Sequence, residues 1–385
     1  MKKNLIIIGA RGYEYEYGGW ETFVKKFVEY SDDSINFYIP NMIQHKEHYK
    51  GNYTNGNVKV HDIYIRKAFI PCLNKFIIKS FIYYIKLIKK EKIENPTVLI
   101  LGCEVGPLMN HFYKKLNKLG AKVILNPGGL IWKSDKYSPK VKKYYKKSEM
   151  QHIENCDLVV CDSKAIKKYV DDEYQDLKKK TIFIPYGADR KVLSFKTDEV
   201  KNLYSKNNIT EGNYYLVIGR FVPENNYETI LAEYMKSKTD KDLVIISNIK
   251  TNNELFNKLK EKYHFDNDPR IKFVGTLYDQ KSVKYVREHA YAYIHGHSVG
   301  GTNPSLLEAL NTTKINLLYN VSYNTEVGGE ACFYFSRKHG SLRKEIEKIE
   351  KLGLTEIKIR EKLEKDIIKK KYTWDKVVSD YKKVI

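Results

Sequence analysis

Short β-branched runs alternate along this chain with longer, lysine-rich amphipathic stretches: LIIIG precedes residues 20–31, TVLILG precedes 106–119, KVILN precedes 139–154 and DLVVCD precedes 163–171. Runs this short suit strands covered on both faces, and the stretches between them carry apolar residues at helical spacing. Such alternation gives parallel strands joined by helical crossovers, an α/β fold. After a connector at 186–201, YGADRKVLSFKTDEVK, the rhythm restarts with YYLVIGR, DLVIISN, IKFVG, YAYIHG and INLLYN. The expectation is two Rossmann-like domains in tandem facing across a cleft, residues 1–188 and 189–370, a division that 385 residues can support. Residues 371–385 carry apolar residues at helical spacing and are expected to return as a helix to the first domain.

Lys and Arg number 68 against 47 Asp and Glu, a formal charge of +21. A chain so basic is drawn to nucleic acid, anionic lipid headgroups or phosphorylated substrates, although an AT-rich coding bias produces part of the same excess. Nucleic acid is set aside, because no RNP, helix-turn-helix or zinc-finger pattern is present and the lysines are spread along the chain. The five cysteines, Cys72, Cys103, Cys156, Cys161 and Cys332, show no C-x-x-C spacing, which argues against a zinc site or a disulfide framework and fits a reducing cytosol. MKKNLIIIG enters the first strand at once and reads as no signal peptide, and no apolar stretch is long enough to span a bilayer.

Ligands of open parallel sheets sit beyond the carboxyl ends of the strands, so the strand-to-helix loops are the candidate sites. Three are glycine-rich: GARGYEYEYGGWE (9–21), NPGGLIW (126–132) and HGHSVGGTNPSLLEAL (295–310). In the last, Gly300, Gly301, Thr302 and Asn303-Pro304 lead into a helix whose free N–H groups and positive dipole end suit a diphosphate without a metal. A plain tight turn with a capped helix is the competing reading. Glu308 stands on the helix face next to this loop, where its carboxylate can accept from a sugar hydroxyl. Arg220, in IGRFVPENN, closes another strand with a planar fork suited to phosphate oxygens, or equally to a surface ion pair.

YGGWETFV, LGCEVGP, NPGGLIWKSDKYSPKVKKYYKKSE, CDLVVCDS, IPYGAD, GRFVPENNYETI and GGTNPSLLEAL follow one another in this order. In this the chain, over roughly residues 4–380, resembles the GT-B glycosyltransferases of family 4, and among them the bacterial β-1,4-rhamnosyltransferases with an N-terminal domain of the DUF1972 type. The resemblance implies a retaining enzyme that transfers L-rhamnose from dTDP-rhamnose to an undecaprenyl-diphosphate-linked sugar in cell-wall or capsular polysaccharide assembly. It implies an acceptor-binding first domain and a nucleotide-sugar-binding second domain, with no metal cofactor. Gly18, Gly19, Arg220, Asn225, Gly300, Gly301, Thr302, Asn303 and Glu308 would then hold the donor, and Tyr13, Tyr15, Tyr17 and Trp132 would shape the acceptor side. The alternating Tyr and Glu residues at 13–17 also read as an edge strand.

Two departures from the family pattern stand out. Gly300 occupies the place of the first glutamate of E-x7-E, as in the rhamnosyltransferase branch, and Gly128 stands where relatives carry the acid of NPDG. The catalytic set implied is therefore Arg220, Glu104 of GCEVGP, and the position of Gly128 with its missing carboxylate. Retention by same-face substitution, in which the leaving phosphate oxygen takes the acceptor proton, tolerates that loss. Another nucleotide sugar such as a UDP-hexose, or a non-catalytic nucleotide-sugar-binding protein, remains open, whereas a nicotinamide dehydrogenase is disfavoured by the lack of G-x-G-x-x-G. A lipid-linked acceptor places the chain on the inner face of the plasma membrane. Residues 75–92, with Phe81, Tyr83 and Tyr84, and the lysines Lys140, Lys143 and Lys147 are the candidate contacts with an anionic surface. Both segments also read as helices that simply pack one face on a sheet.

Overall fold

The computed structural model describes residues 2–15, 18–66, 71–134, 137–189, 192–249 and 251–385. The chain divides into a first unit, Met1–Tyr186 together with Trp374–Ile385, and a second, Gly187–Thr373. These breaks differ by a few residues from those read off the sequence. Ala188 forms a one-residue parallel bridge with Thr373, and its N–H donates to the Tyr372 carbonyl at 2.8 Å, so both ends of the second unit are tied together.

The first unit contains β1 (Lys3–Ile8), β2 (Ile35–Ile43), β3 (Asn52–Asn55), β4 (Val58–Tyr64), β5 (Pro96–Leu101), β6 (Lys122–Asn126), β7 (Leu158–Cys161) and β8 (Thr181–Phe183). They form one sheet in the order β3-β4-β2-β1-β5-β6-β7-β8, parallel throughout except for β3. Its crossovers include α1 (Gly19–Tyr30), α2 (Cys72–Glu91), α3 (Met109–Lys118), α4 (Pro139–Asn155) and α5 (Lys164–Glu173). Leu5, Ile6, Ile7 and Ile8 are all buried, as expected of a strand with a covered layer on each face.

The second unit has a parallel sheet in the order β11-β10-β9-β12-β13-β14. Its strands are β9 (Tyr214–Ile218), β10 (Asp242–Ile246), β11 (Ile271–Phe273), β12 (Ala292–His295), β13 (Asn316–Tyr319) and β14 (Phe333–Phe335). Around them lie α6 (Asp198–Asn207), α7 (Tyr227–Met235), α8 (Glu254–Tyr263), α9 (Gln280–Glu288), α10 (Pro304–Thr312), α11 (Ser322–Gly328), α12 (Ser341–Ile349) and α13 (Leu354–Lys371).

The last helix, α14 (Trp374–Lys382), returns to the first unit. It buries Trp374, Val377, Val378 and Tyr381, with the Tyr381 ring 5.1 Å from Phe27 and 5.5 Å from Phe23. Each such side chain contributes roughly 1.5–3 kcal/mol when fully buried. At its end Lys382 pairs with Asp32 at 2.7 Å, and the Lys3 ammonium donates to the Lys382 carbonyl at 2.6 Å.

Two surface readings change once the packing is seen. Phe81 and Tyr84 of α2 are wholly buried in the first core, and Tyr83 is half-buried, its hydroxyl accepting from Asn52 Nδ2 at 3.0 Å. The aromatics of 75–92 are therefore sheet-facing, because each lies on the same helical stripe as Phe76, Ile77 and Ile88 or beside it. On α4, by contrast, Lys140, Lys143 and Lys147 are exposed, and Val141, Tyr144 and Met150 are exposed with them. Among the described residues no helix is long and apolar enough to cross a membrane.

Candidate functional site

In each sheet the strand order reverses at one place, and there the loops beyond the strand ends open a crevice. In the first unit this is between β1 and β5, so the loops that follow begin at Gly9 and Gly102; in the second it is between β9 and β12, followed by loops 219–226 and 296–303. Arg220, Asn225, Gly300, Gly301, Thr302 and Asn303 thus come together in the second unit, from two loops some 70 residues apart in sequence.

Gly296 lets these two loops touch, since a Cβ there would run into the Asn225 carbonyl oxygen. Asn225 Nδ2 donates to the Arg220 carbonyl at 2.7 Å. That fixes its amide, so Oδ1 faces the His297 ring, whose Nδ1–H donates to it at 2.8 Å. Nε2 of His297 is thereby turned toward Gly300, where a Cβ would stand 3.5 Å away. Burial, and next the Arg220 guanidinium, lower the His297 ring to about 4, so it is neutral near pH 7. Arg220 itself is exposed. Ser298, from the same loop, donates through N–H and Oγ to the Glu224 carbonyl at 2.8 and 2.9 Å.

The helix start is capped from within. Asn303 Oδ1 accepts from Ser305 N–H at 2.9 Å, and Pro304 follows the cap, leaving the preceding glycines to line the loop. Glu308 pairs through Oε2 with the buried Arg287 of α9. Arg287 also donates to Ser305 Oγ at 2.9 Å, and Ser305 in turn meets the Tyr293 hydroxyl at 3.1 Å. The pair orients Glu308 through Oε2.

In the first unit Glu21, on the first turn of α1, is buried and folds back beneath Gly18, accepting from Arg11 N–H at 3.0 Å. Gly18 precedes the helix and Gly19 opens it, exposed. A carboxylate already seated in this loop disfavours close approach of a phosphate to Gly18 itself. Tyr13 is half-buried, Tyr15 is tied to the Met42 carbonyl at 2.8 Å, and Tyr17 lies outside the described residues.

Gly128 sits at φ +66°, and a Cβ there would stand 2.8 Å from Cζ2 of Trp20. A side chain at this position would have no room: the indole occupies its space, and the left-handed backbone favours glycine. Trp132, in a 3₁₀ turn at Ile131–Lys133, turns its ring toward Tyr169 at 6.2 Å and the Lys146 ammonium at 4.8 Å. Tyr169 and Tyr174 both donate to Glu149 Oε1, at 2.5 and 2.6 Å. This aromatic box already contains a cation, so Trp132 has a structural partner that its sequence position gave no sign of.

Glu104, half-buried on the loop after β5, has its carboxyl pushed up to about 7 by burial. The next residue, Val105, is held at φ +55°, a left-handed conformation that costs a non-glycine residue roughly 1–3 kcal/mol. Among the described residues no group of three or more His, Cys, Asp or Glu side chains is gathered as a metal-ligand set.

Residues that sequence reading missed are Arg287, His297, Trp20 and Glu21. Arg287 in KYVREHA looks like an arginine on the solvent face of an amphipathic helix. His297, a ring in a glycine-rich loop, was the discoverable one.

Residues 2–189 match the family described as Domain of unknown function (DUF1972). The chain is 26% identical to an uncharacterized glycosyltransferase of Methanocaldococcus jannaschii, over all of this chain and 98% of that protein. Among solved structures it resembles a sucrose-phosphate synthase from Thermosynechococcus elongatus, with a TM-score of 0.77 at 13% identity over 100% of this chain and 98% of that one. An α,α-trehalose-phosphate synthase (UDP-forming) from Burkholderia vietnamiensis gives a TM-score of 0.75 at 9% identity, with both chains covered fully. The chain has the GT-B fold of two Rossmann-like α/β domains with parallel sheets, and these likenesses support a glycosyltransferase.

Proposed function

We propose that this protein is a retaining, metal-independent glycosyltransferase that transfers L-rhamnose from dTDP-rhamnose to an undecaprenyl-diphosphate-linked sugar, working on the inner face of the plasma membrane. The observation that carries the reading is the second unit's switch point, where Arg220, the Asn225–His297 pair and the glycine-lined start of α10 converge. A guanidinium beside the backbone of a glycine loop suits a leaving diphosphate, whereas the first-turn amides of α10 itself, which the sequence suggested were free, are taken up by Asn303. Glu308, oriented by Arg287, accepts from the nucleoside sugar.

In the transfer the bond from C1 of the sugar to the phosphate oxygen breaks, and a bond from C1 to the acceptor oxygen forms on the same face. The acceptor proton passes to the leaving phosphate oxygen. Glu104, in the first unit, accepts a hydrogen bond from a neighbouring hydroxyl of the acceptor sugar, which aligns the attacking oxygen while that oxygen's own proton points at the leaving phosphate. Gly19 and the half-buried Tyr13 lie on this acceptor-binding unit.

A UDP-hexose is the second reading, favoured by the fold shared with a UDP-forming synthase. Thermal stabilisation across a panel of nucleotide sugars tests both, because a ligand at 100 times its dissociation constant adds about 2.7 kcal/mol. dTDP-rhamnose should stabilise most, and turnover should require a lipid-diphosphate acceptor. A larger shift with a UDP-hexose overturns the choice of sugar. Stabilisation without turnover would make the chain a nucleotide-sugar-binding protein.

A further inference from the structure

We propose that Ser148 and His152 of α4 are positioning residues that hold the Glu104 loop in the conformation needed to align the acceptor hydroxyl. The inference rests on the proposed role of Glu104 and goes beyond it, because it assigns function to a helix face with no access to substrate.

Ser148 is fully buried and reaches the loop twice: it accepts from Gly106 N–H at 2.7 Å and donates to the Cys103 carbonyl at 2.5 Å. His152 donates from Nε2 to the Glu104 carbonyl at 2.6 Å. A carbonyl can only accept, so Nε2 carries the proton and Nδ1 is bare. The Tyr113 hydroxyl of α3 completes the chain by donating to that Nδ1 at 2.9 Å. Burial lowers the His152 ring to about 4, which keeps this one tautomer neutral near pH 7.

The bonds are placed where the backbone most needs support. They reach Cys103, Glu104 and Gly106, on either side of Val105, the β-branched residue at φ +55°. Gly106 is packed so closely on the Ser148 backbone that a Cβ would overlap it. Gly102 is likewise lidded by the Glu104 carboxyl, so the side chain lies back over its own loop. Three polar side chains on the inner faces of two helices are a costly way to pack a core. They are accounted for if the loop they grip must stay in one strained form.

The titratable groups facing this loop are Tyr144 and Tyr145 of α4, with Tyr137 beside Tyr145, Cys103 in the loop, Tyr113 of α3, and His152 and Glu149 of α4. Burial keeps Cys103, Tyr113, Tyr144 and Tyr145 uncharged near neutrality, and Glu149, also raised by burial, is bound by Tyr169 and Tyr174, so the acid limb of turnover is assigned to the carboxyl of Glu104. The ionised form accepts the hydroxyl, and rate rises with pH through about 7. Loosening the loop hydrates the carboxyl and lowers this limb toward the ordinary carboxylate range.

The test compares Ser148→Ala, His152→Phe and His152→Gln with Glu104→Gln in the full chain, measuring kcat, KM for the donor and the pH dependence of kcat. Ser148→Ala and His152→Phe should lower kcat roughly ten- to a hundredfold, leave the donor KM unchanged and move the acid limb downward by about one pH unit or more. His152→Gln, which keeps an N–H donor, should recover part of both effects. If kcat falls only in step with melting temperature and the acid limb stays in place, the helix is a packing surface and the proposal fails. Should Glu104→Gln leave kcat intact, the role given to Glu104 is wrong; should it abolish turnover while the α4 variants behave as wild type, only this inference is overturned.

Discussion

The Trp20 indole and Gly128 exclude one another's alternatives: Cζ2 of Trp20 lies 2.8 Å from where a Gly128 side chain would begin. Gly128→Asp should therefore destabilise the fold by about 2 kcal/mol, from the left-handed backbone and overpacking together. Adding Trp20→Ala should recover the packing part but not the backbone part. Denaturant midpoints of the two single variants and the double variant measure the coupling, and strict additivity would show that the indole gives way freely.

That pair also marks how far the sequence could be read. Strand and helix alternation gave both sheets because buried parallel strands are uniformly apolar, as LIIIG and DLVVCD are. INFYIPNMI escaped, since a proline and two asparagines interrupt it, yet seven of its nine residues pair with β4 and order it as β2. The α10 loop was legible from its glycines and Asn-Pro pair. Trp20, Arg287, Ser148 and His152 were not, because what each does is decided by a partner far away in sequence. On α4 the polar Ser148, Glu149 and His152 stand at inward positions, a break in periodicity that looks in sequence like an exposed helix.

Arg220 stands exposed, with its carbonyl anchored by Asn225. Replacing it with Ala should lower transfer on the order of a hundred- to a thousandfold without unfolding the chain, as loss of a charge aimed at a leaving group does. Ordinary turnover in a folded Arg220→Ala variant would mean the diphosphate lies elsewhere.

Glu308→Gln acts on more than the ligand. Arg287 is buried, with 5% of its side chain exposed, and Glu308 is its charged partner. Removing one member of a buried pair leaves an uncompensated charge, worth up to about 3–5 kcal/mol and less here because Glu308 is partly open to solvent. The variant should lose both thermal stability and donor affinity by calorimetry. Loss of stability with unchanged affinity would reduce Glu308 to a counter-ion.

Acid should weaken the fold through its buried histidines. His61, His152 and His297 are each lowered by burial to about 4, and His295 is lowered further. Their folded values lie below the unfolded value, so the unfolded chain binds more protons between about pH 6.5 and 4, and unfolding free energy falls as pH drops through that window. Glu104 works in the opposite sense, raised to about 7, adding stability as pH falls from 7 toward 4.5. Burial raises the Glu149 and Glu364 carboxyls as well, so four histidines act against three carboxyls and the net change should be a modest loss of stability. Melting temperature against pH checks the sign, and a flat profile from pH 6.5 to 4 would contradict it.

Location is the last expectation. With the aromatics of α2 buried, the exposed face of α4, where Lys140, Lys143 and Lys147 alternate with Val141 and Tyr144, is the surface left to meet anionic lipid. Each lysine near such a surface contributes on the order of 1 kcal/mol, and the attraction is screened over about 8 Å at physiological salt. Binding to acidic liposomes should therefore weaken as salt rises. The triple change Lys140→Glu, Lys143→Glu and Lys147→Glu should release the protein, yet spare turnover with a short soluble acceptor, because Ser148 and His152 are buried and keep their bonds to the loop. Vesicle binding that is absent in the parent, or that survives the triple change, would leave this face as a solvated helix surface.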